Sequence, residues 1–98
     1  MDSDKNLIKV SATSRATSVA GAIAKTIRDK MHAEVQAIGA GAVNQAIKAI
    51  AIAVNYLEDD KIKIRCVPYF TETVIDGNER TAIRIDVEGY KEEKQEGS

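Results

Sequence analysis

The spacing of apolar positions along this chain changes several times, and each change marks an element. Leu7, Ile8 and Val10 form a short apolar run around Lys9 that ends at a cluster of hydroxyls, which predicts a first strand. From Val19 the spacing lengthens: Val19, Ala20, Ile23, Ala24, Ile27 and Met31 recur at three- and four-residue steps. That predicts a helix with Thr17 or Ser18 as its N-cap and His32 in its last turn. Glu34 to Ile38 reads as a second strand, stopped by Gly39-Ala40-Gly41.

A second helix is expected from about Ala42 to Leu57. Successive helical residues turn by about 100°, which puts Val43, Ile47, Ile50, Val54 and Leu57 on one face with alanines on the flanks. Ile52 falls opposite, among Gln45, Lys48 and Asn55. Ile62 to Val67 then alternates apolar and polar side chains until Pro68, a residue confined mainly to sheet edges and bulges. Thr71 to Ile75 is extended again and reaches Asp76-Gly77, a hairpin-turn pair, and Thr81 to Val87 alternates once more.

The expected order is β-α-β-α-β-β. Strands one and two run parallel through a helical crossover, and the last two form an antiparallel hairpin. The fold class is an α/β two-layer sandwich, a four-stranded mixed sheet with both helices on one face. Residues 7–88 form the domain, between a flexible N-terminus 1–6 and a disordered charged tail 89–98 that lacks core formers.

Composition narrows the function classes. With 98 residues there is one domain, and its 44% apolar content supports a packed core built from Ile, Val, Leu and Ala, because aromatics are only 4%. A net charge of −1 argues against a non-specific coater of duplex DNA, whose affinity rests on phosphate neutralisation, and leaves room for a local basic patch. Cys66 has no partner for a disulfide and reads as a small buried apolar group. The polar start Met1 to Asn6 is unlike a signal peptide, and no run reaches the ~20 apolar residues that span a bilayer. A cytoplasmic location without membrane association is expected, with association to the nucleoid as one form of it.

The strongest candidate chemistry lies between the first strand and first helix, where Ser11-Ala12-Thr13-Ser14-Arg15-Ala16-Thr17-Ser18 combines hydroxyls with one guanidinium. A helix N-terminus offers free backbone N–H groups and a favourable dipole to an anion, and Arg15 can bind phosphate bidentately. The alternative is a polar loop with ordinary caps. Gly39 and Gly41 stand at the equivalent place before the second helix, where glycine permits close approach of backbone to phosphate. Neither a dinucleotide fingerprint nor a P-loop is complete there. Asn44, Gln45 and Lys48 sit on the first turns of that helix, available to nucleic acid or simply solvated. Arg65, Arg84, Lys61, Lys63 and Arg80 form a basic strip on the hairpin or pair across strands with acidic neighbours. Tyr69 and Phe70 are candidates for base stacking, or for core and interface. There is no nucleophile beside a positioned base, no paired carboxylates in an apolar setting and no metal-ligand spacing, so neither an enzyme nor a cofactor or metal is expected.

Lys9-Val10-Ser11-Ala12 with Ser18-Val19-Ala20-Gly21-Ala22, the segment Ala37 to Ala49, and Ile75 to Ile83 together resemble the bacterial stage V sporulation protein S family. The resemblance covers roughly residues 7–88. It implies an Alba-like sandwich, related to the archaeal chromatin protein Alba and to the C-terminal domain of translation initiation factor three. It also implies assembly as a homodimer or larger homo-oligomer, and a regulatory role in sporulation, development or cell division through nucleic-acid binding. Alba-like proteins bring basic residues to the loop after strand one, the start of helix two and the final hairpin. Here the first loop offers Arg15 among hydroxyls, Gly39 and Gly41 stand at the start of helix two, and the hairpin carries Arg80 beside Asp76 and Glu79, a departure from the pattern of tight duplex coating. The combined expectation is a nucleic-acid contact, DNA or RNA, made by Lys9, Ser14, Arg15, Thr17, Ser18, Gly39, Gly41, Asn44, Gln45, Lys48 and Arg80. The alternatives are a protein-interaction module and a sensor of a small anionic ligand.

Overall fold

The computed structural model describes residues 7–92. Its elements are β1 (Leu7–Val10), α1 (Ala16–Lys30), β2 (His32–Ala37), α2 (Ala40–Tyr56), β3 (Lys63–Ile75) and β4 (Asn78–Tyr90). The expected order and sheet are found: one four-stranded sheet in the order β1-β2-β4-β3. β1 pairs parallel with β2, and β4 runs antiparallel to both β2 and β3.

One face of the sheet is covered. Ile8 and Val10 on β1, Ala33, Val35 and Ala37 on β2, and Ile83, Ile85 and Val87 on β4 pack with α1 and α2 into a single core. The face behind carries Lys9, Glu34, Gln36, Arg84, Asp86 and Glu88, as the two-residue period of a strand requires. Arg84 donates to Gln36 Oε1 at 2.7 and 3.3 Å and stands 4.0 Å from Glu34, while Arg65 and Glu88 pair at 3.7 Å. These two arginines are therefore tied across strands and do not form a free basic strip.

Several boundaries and faces differ from the sequence reading. Helix α1 begins at Ala16 with Arg15 as its N-cap, so Thr17 and Ser18 lie inside the first turn and cap nothing. It ends at Lys30 because Met31 turns left-handed (φ 61°), which places His32 at the start of β2 instead of in the helix. The buried face of α2 is its alanine stripe, Ala42, Ala46, Ala49 and Ala53, with Ile50. Ile47 and Val54, expected inside, are 52% and 44% exposed, whereas Ile52, expected outside, packs on the core. Small side chains win that face because α1 presses along it with its own Ala20 and Ala24. Cys66 is exposed, contrary to its reading as a buried group. Pro68 does not interrupt β3, because β3 is the outer strand and its free side needs no amide donor.

The hairpin is longer than expected at both ends. β2 stops pairing at Ala37 opposite Ile83, so Thr71–Ile75 and Asn78–Ala82 pair only with each other and project as a two-stranded arm. Its tip, Asp76 and Gly77, has both residues at positive φ, as a tight hairpin turn demands. At the other end Gly89 and Tyr90, placed beyond the domain by the sequence reading, belong to β4, and the Gly89 N–H donates to Met31 O at 2.9 Å. Residues 1–6, expected to be flexible, and residues 93–98 of the expected disordered tail lie outside the described residues.

Candidate nucleic-acid interface

Because β1 and β2 are parallel and each leads into a helix, both helices begin at the same end of the sheet. The arm extends from that end too, since β4 enters the sheet opposite the last residue of β2. Three features predicted separately thus converge: the hydroxyl loop, the glycine turn and the hairpin.

The first loop holds its own shape. The Ser11 N–H donates to Ser14 Oγ at 2.8 Å, the Ser14 N–H returns to Ser11 O at 3.1 Å, and Ser11 Oγ shares hydrogen bonds with Thr13 Oγ1 and Ser14 Oγ. These hydroxyls fold the loop instead of capping the helix. Arg15, at the N-cap, makes no side-chain cap bond, and α1 has no acidic residue in its first turn. Helix α2 is the same: Gly39 caps nothing, and its first turn carries no acid. The first intrahelical bonds are Val19 N–H to Arg15 O and Val43 N–H to Gly39 O, each 3.0 Å. Among the described residues, therefore, no side chain accepts from the leading N–H groups of either helix, which leaves them available to an anion.

The two helix starts are held against each other. A Cβ on Gly41 would stand 3.0 Å from Ala12 Cβ, so glycine lets the first loop lie on the start of α2. Gly39 turns the chain at φ 94°, a region closed to other residues without strain. Gln45 donates from Nε2 to Ser14 O at 2.8 Å and is half-buried, so it ties the loop to α2 and is not a free contact group. On the other side of the loop, Lys9, Ser11, Gln36, Ile38, Thr73 and Ile75 line a groove between the sheet end and the arm. Arg80 sits opposite Thr73 in that arm.

Charge is sorted by location. Among the described residues Lys25, Arg28, Lys63, Arg65 and Arg84 are in ion pairs, whereas Lys9, Arg15, Lys48 and Arg80 are in none. Asn44 and Lys48, one turn apart on α2, are exposed, as are Thr17 and Ser18 on α1. Acidic groups are present on the arm: Asp76 at the tip, Glu79, and Glu72, which accepts from Thr81 at 3.2 Å. Tyr69 and Phe70 are 39% and 76% exposed, so neither belongs to the core. Partial burial pushes the Cys66 thiol above its usual pKa, which disfavours the nucleophilic thiolate.

Sequence reasoning missed the arm itself, the exposed Val74 and Ile75 along it, and the exposed Val67 on the same strand within the sheet. The available signal was the length of alternating sequence flanking Asp76-Gly77, which exceeds what a six-residue β2 can pair. No helix among the described residues is long and apolar enough to cross a membrane. A family model described as Stage V sporulation protein S matches residues 6–90.

Proposed function

Since the chain belongs to the stage V sporulation protein S family, its role is in sporulation, and we propose that it is a non-enzymatic regulator that binds nucleic acid at the sheet end where both helices begin. The observation that carries this reading is the juxtaposition of two uncapped helix N-termini, one of them carrying Arg15, which is in no ion pair among the described residues. Each exposed N-terminus contributes only about 0.3–1 kcal/mol to holding an anion. The backbone groups therefore orient a phosphate, and Lys9, Arg15, Lys48 and Arg80 supply most of the affinity. A ligand spread over several phosphates suits this division better than a single small anion.

The reading includes a homo-oligomer, formed through the outward face of α2. Ile47 and Val54 lie there with Ala51 between them, all exposed, and a second copy offers the same surface.

Fluorescence anisotropy with labelled duplex DNA, single-stranded DNA and RNA tests the interface. With four phosphate contacts on a duplex, log affinity is expected to fall with log salt at a slope of about −3 to −4. Arg15→Ala is expected to weaken binding about fivefold and to reduce that slope by about one. Affinity independent of salt, or an unchanged Arg15→Ala variant, defeats the proposed site. The exposed Val67, Phe70 and Val74 favour a second reading, docking of a protein partner along the outer strand β3. Absence of nucleic-acid binding at low salt would select it.

A further inference from the structure

Behind the core, on the open face of the sheet, three side chains of a different chemistry meet. His32 and Glu34 are two residues apart on β2 and so share a face, and Asp86 on β4 is the direct cross-strand partner of Glu34. One ligand atom from each, an imidazole nitrogen and two carboxylate oxygens, lie within 4.8 Å of one another. We propose that His32, Glu34 and Asp86 form a binding site for a divalent transition-metal ion of the zinc class.

Two features of the cluster support an ion. First, His32 Nε2 stands 3.7 Å from Asp86 Oδ1, too far for a hydrogen bond. Two ligands each about 2.1 Å from a tetrahedral zinc are separated by about 3.4 Å, close to that spacing. Second, Asp86 Oδ1 is buried and has no hydrogen-bond partner among the described residues. A carboxylate oxygen stripped of water and given no donor is unstable unless a cation completes it.

Charge and donor type define the class of ion. Arg84 approaches Glu34 only to 4.0 Å and spends its hydrogen bonds on Gln36, while Arg65 and Glu88 neutralise each other. Two carboxylates against one guanidinium leave a net negative charge at the cluster, which a divalent ion balances. A mixed nitrogen and oxygen set suits zinc and its neighbours, whereas magnesium and calcium take oxygen ligands. Three protein ligands leave a further position open, toward the groove lined by His32, Arg65, Val67, Asp86 and Glu88. Water or a small anionic group would occupy it.

The test is calorimetric titration of the metal-free full chain with zinc, with the imidazole resonances of its single histidine followed in parallel. One equivalent is expected to bind with a Kd in the micromolar range and to shift those resonances, and millimolar magnesium is expected not to displace it. His32→Ala and Asp86→Asn should each weaken binding at least tenfold, and Cys66→Ser should leave it unchanged. Zinc should raise the melting temperature of the wild type and not that of His32→Ala, a comparison that holds even if Asp86→Asn destabilises the sheet. No saturable binding up to about 1 mM zinc, binding that survives His32→Ala, or binding abolished by Cys66→Ser would overturn the site.

Discussion

Gln45 shows how one side chain can serve a binding site without touching its ligand. Its amide joins α2 to Ser14 O, 31 positions earlier in the sequence, at the point where the first loop lies over Gly41. Gln45→Ala removes one partly buried hydrogen bond, and a stability loss of about 1 kcal/mol is expected, a fall in melting temperature of about 4–8 °C. Affinity for nucleic acid should fall with it, because the loop loses its anchor, and a Gln45→Ala variant with unchanged melting and binding would refute the link. Cys66 gives a second test at this scale. Its thiol is exposed yet its pKa is raised, so alkylation should need higher pH in the folded chain than in the unfolded one. Ionisation of a group whose folded pKa lies above its unfolded value works against folding, so a small stability contribution is lost as pH rises through that region. The cap residues were illegible from sequence for a physical reason. Thr17 and Ser18 carry the residue types that signal a cap, but the chain is already helical at Ala16, so Arg15 takes the cap position and both hydroxyls fall inside the first turn.

Among the elements, the strand and helix order was readable because period two and period 3.6 alternate cleanly from Leu7 onward. The buried face of α2 was not. A hydropathy pattern ranks Ile47 and Val54 above Ala46 and Ala49, and it takes no account of how near the neighbouring helix comes. Here α1 packs along α2, the buried face is mostly alanine with Ile50 the one larger residue among them, and Ile47 and Val54 face outward. Ala46 is fully buried in that contact, so Ala46→Leu should destabilise the fold by about 1–3 kcal/mol, measurable by denaturant titration. Ile47→Lys on the opposite face should leave the unfolding free energy of the monomer nearly unchanged, and should reduce oligomer mass in light scattering if α2 joins two copies. The convergence of site elements was legible only in part: parallel β1 and β2 implied that both helix starts share one end, but the extension of β4 past Ala37 follows from register, which the sequence does not print.

At the scale of the molecule, stability and recognition are separated in space. The core lies between the helices and the paired part of the sheet, while the arm is a two-stranded ribbon with little behind it. An isolated hairpin is marginal in water, so amides of Thr71–Ile75 and Asn78–Ala82 should exchange with solvent much faster than those of Val35 or Ile85. Joining Phe70 to Ile83 through a two-residue Asn-Gly turn removes the arm and with it Arg80. Such a chain should melt within ~3 °C of the parent while losing at least tenfold in nucleic-acid affinity, and a collapse of its melting temperature would show the arm to be part of the core.

The place of Pro68 in the outer strand has one more consequence. An open strand edge of 13 residues, flanked by exposed Val67, Phe70 and Val74, is a template on which an identical strand of another molecule can grow. Proline offers no amide hydrogen and breaks that template near its middle. Solubility at high concentration is thereby protected by a residue that the folded monomer does not need. Pro68→Thr should fold normally and yet become turbid with time, forming fibrils that stain with thioflavin, at concentrations where the parent solution stays clear.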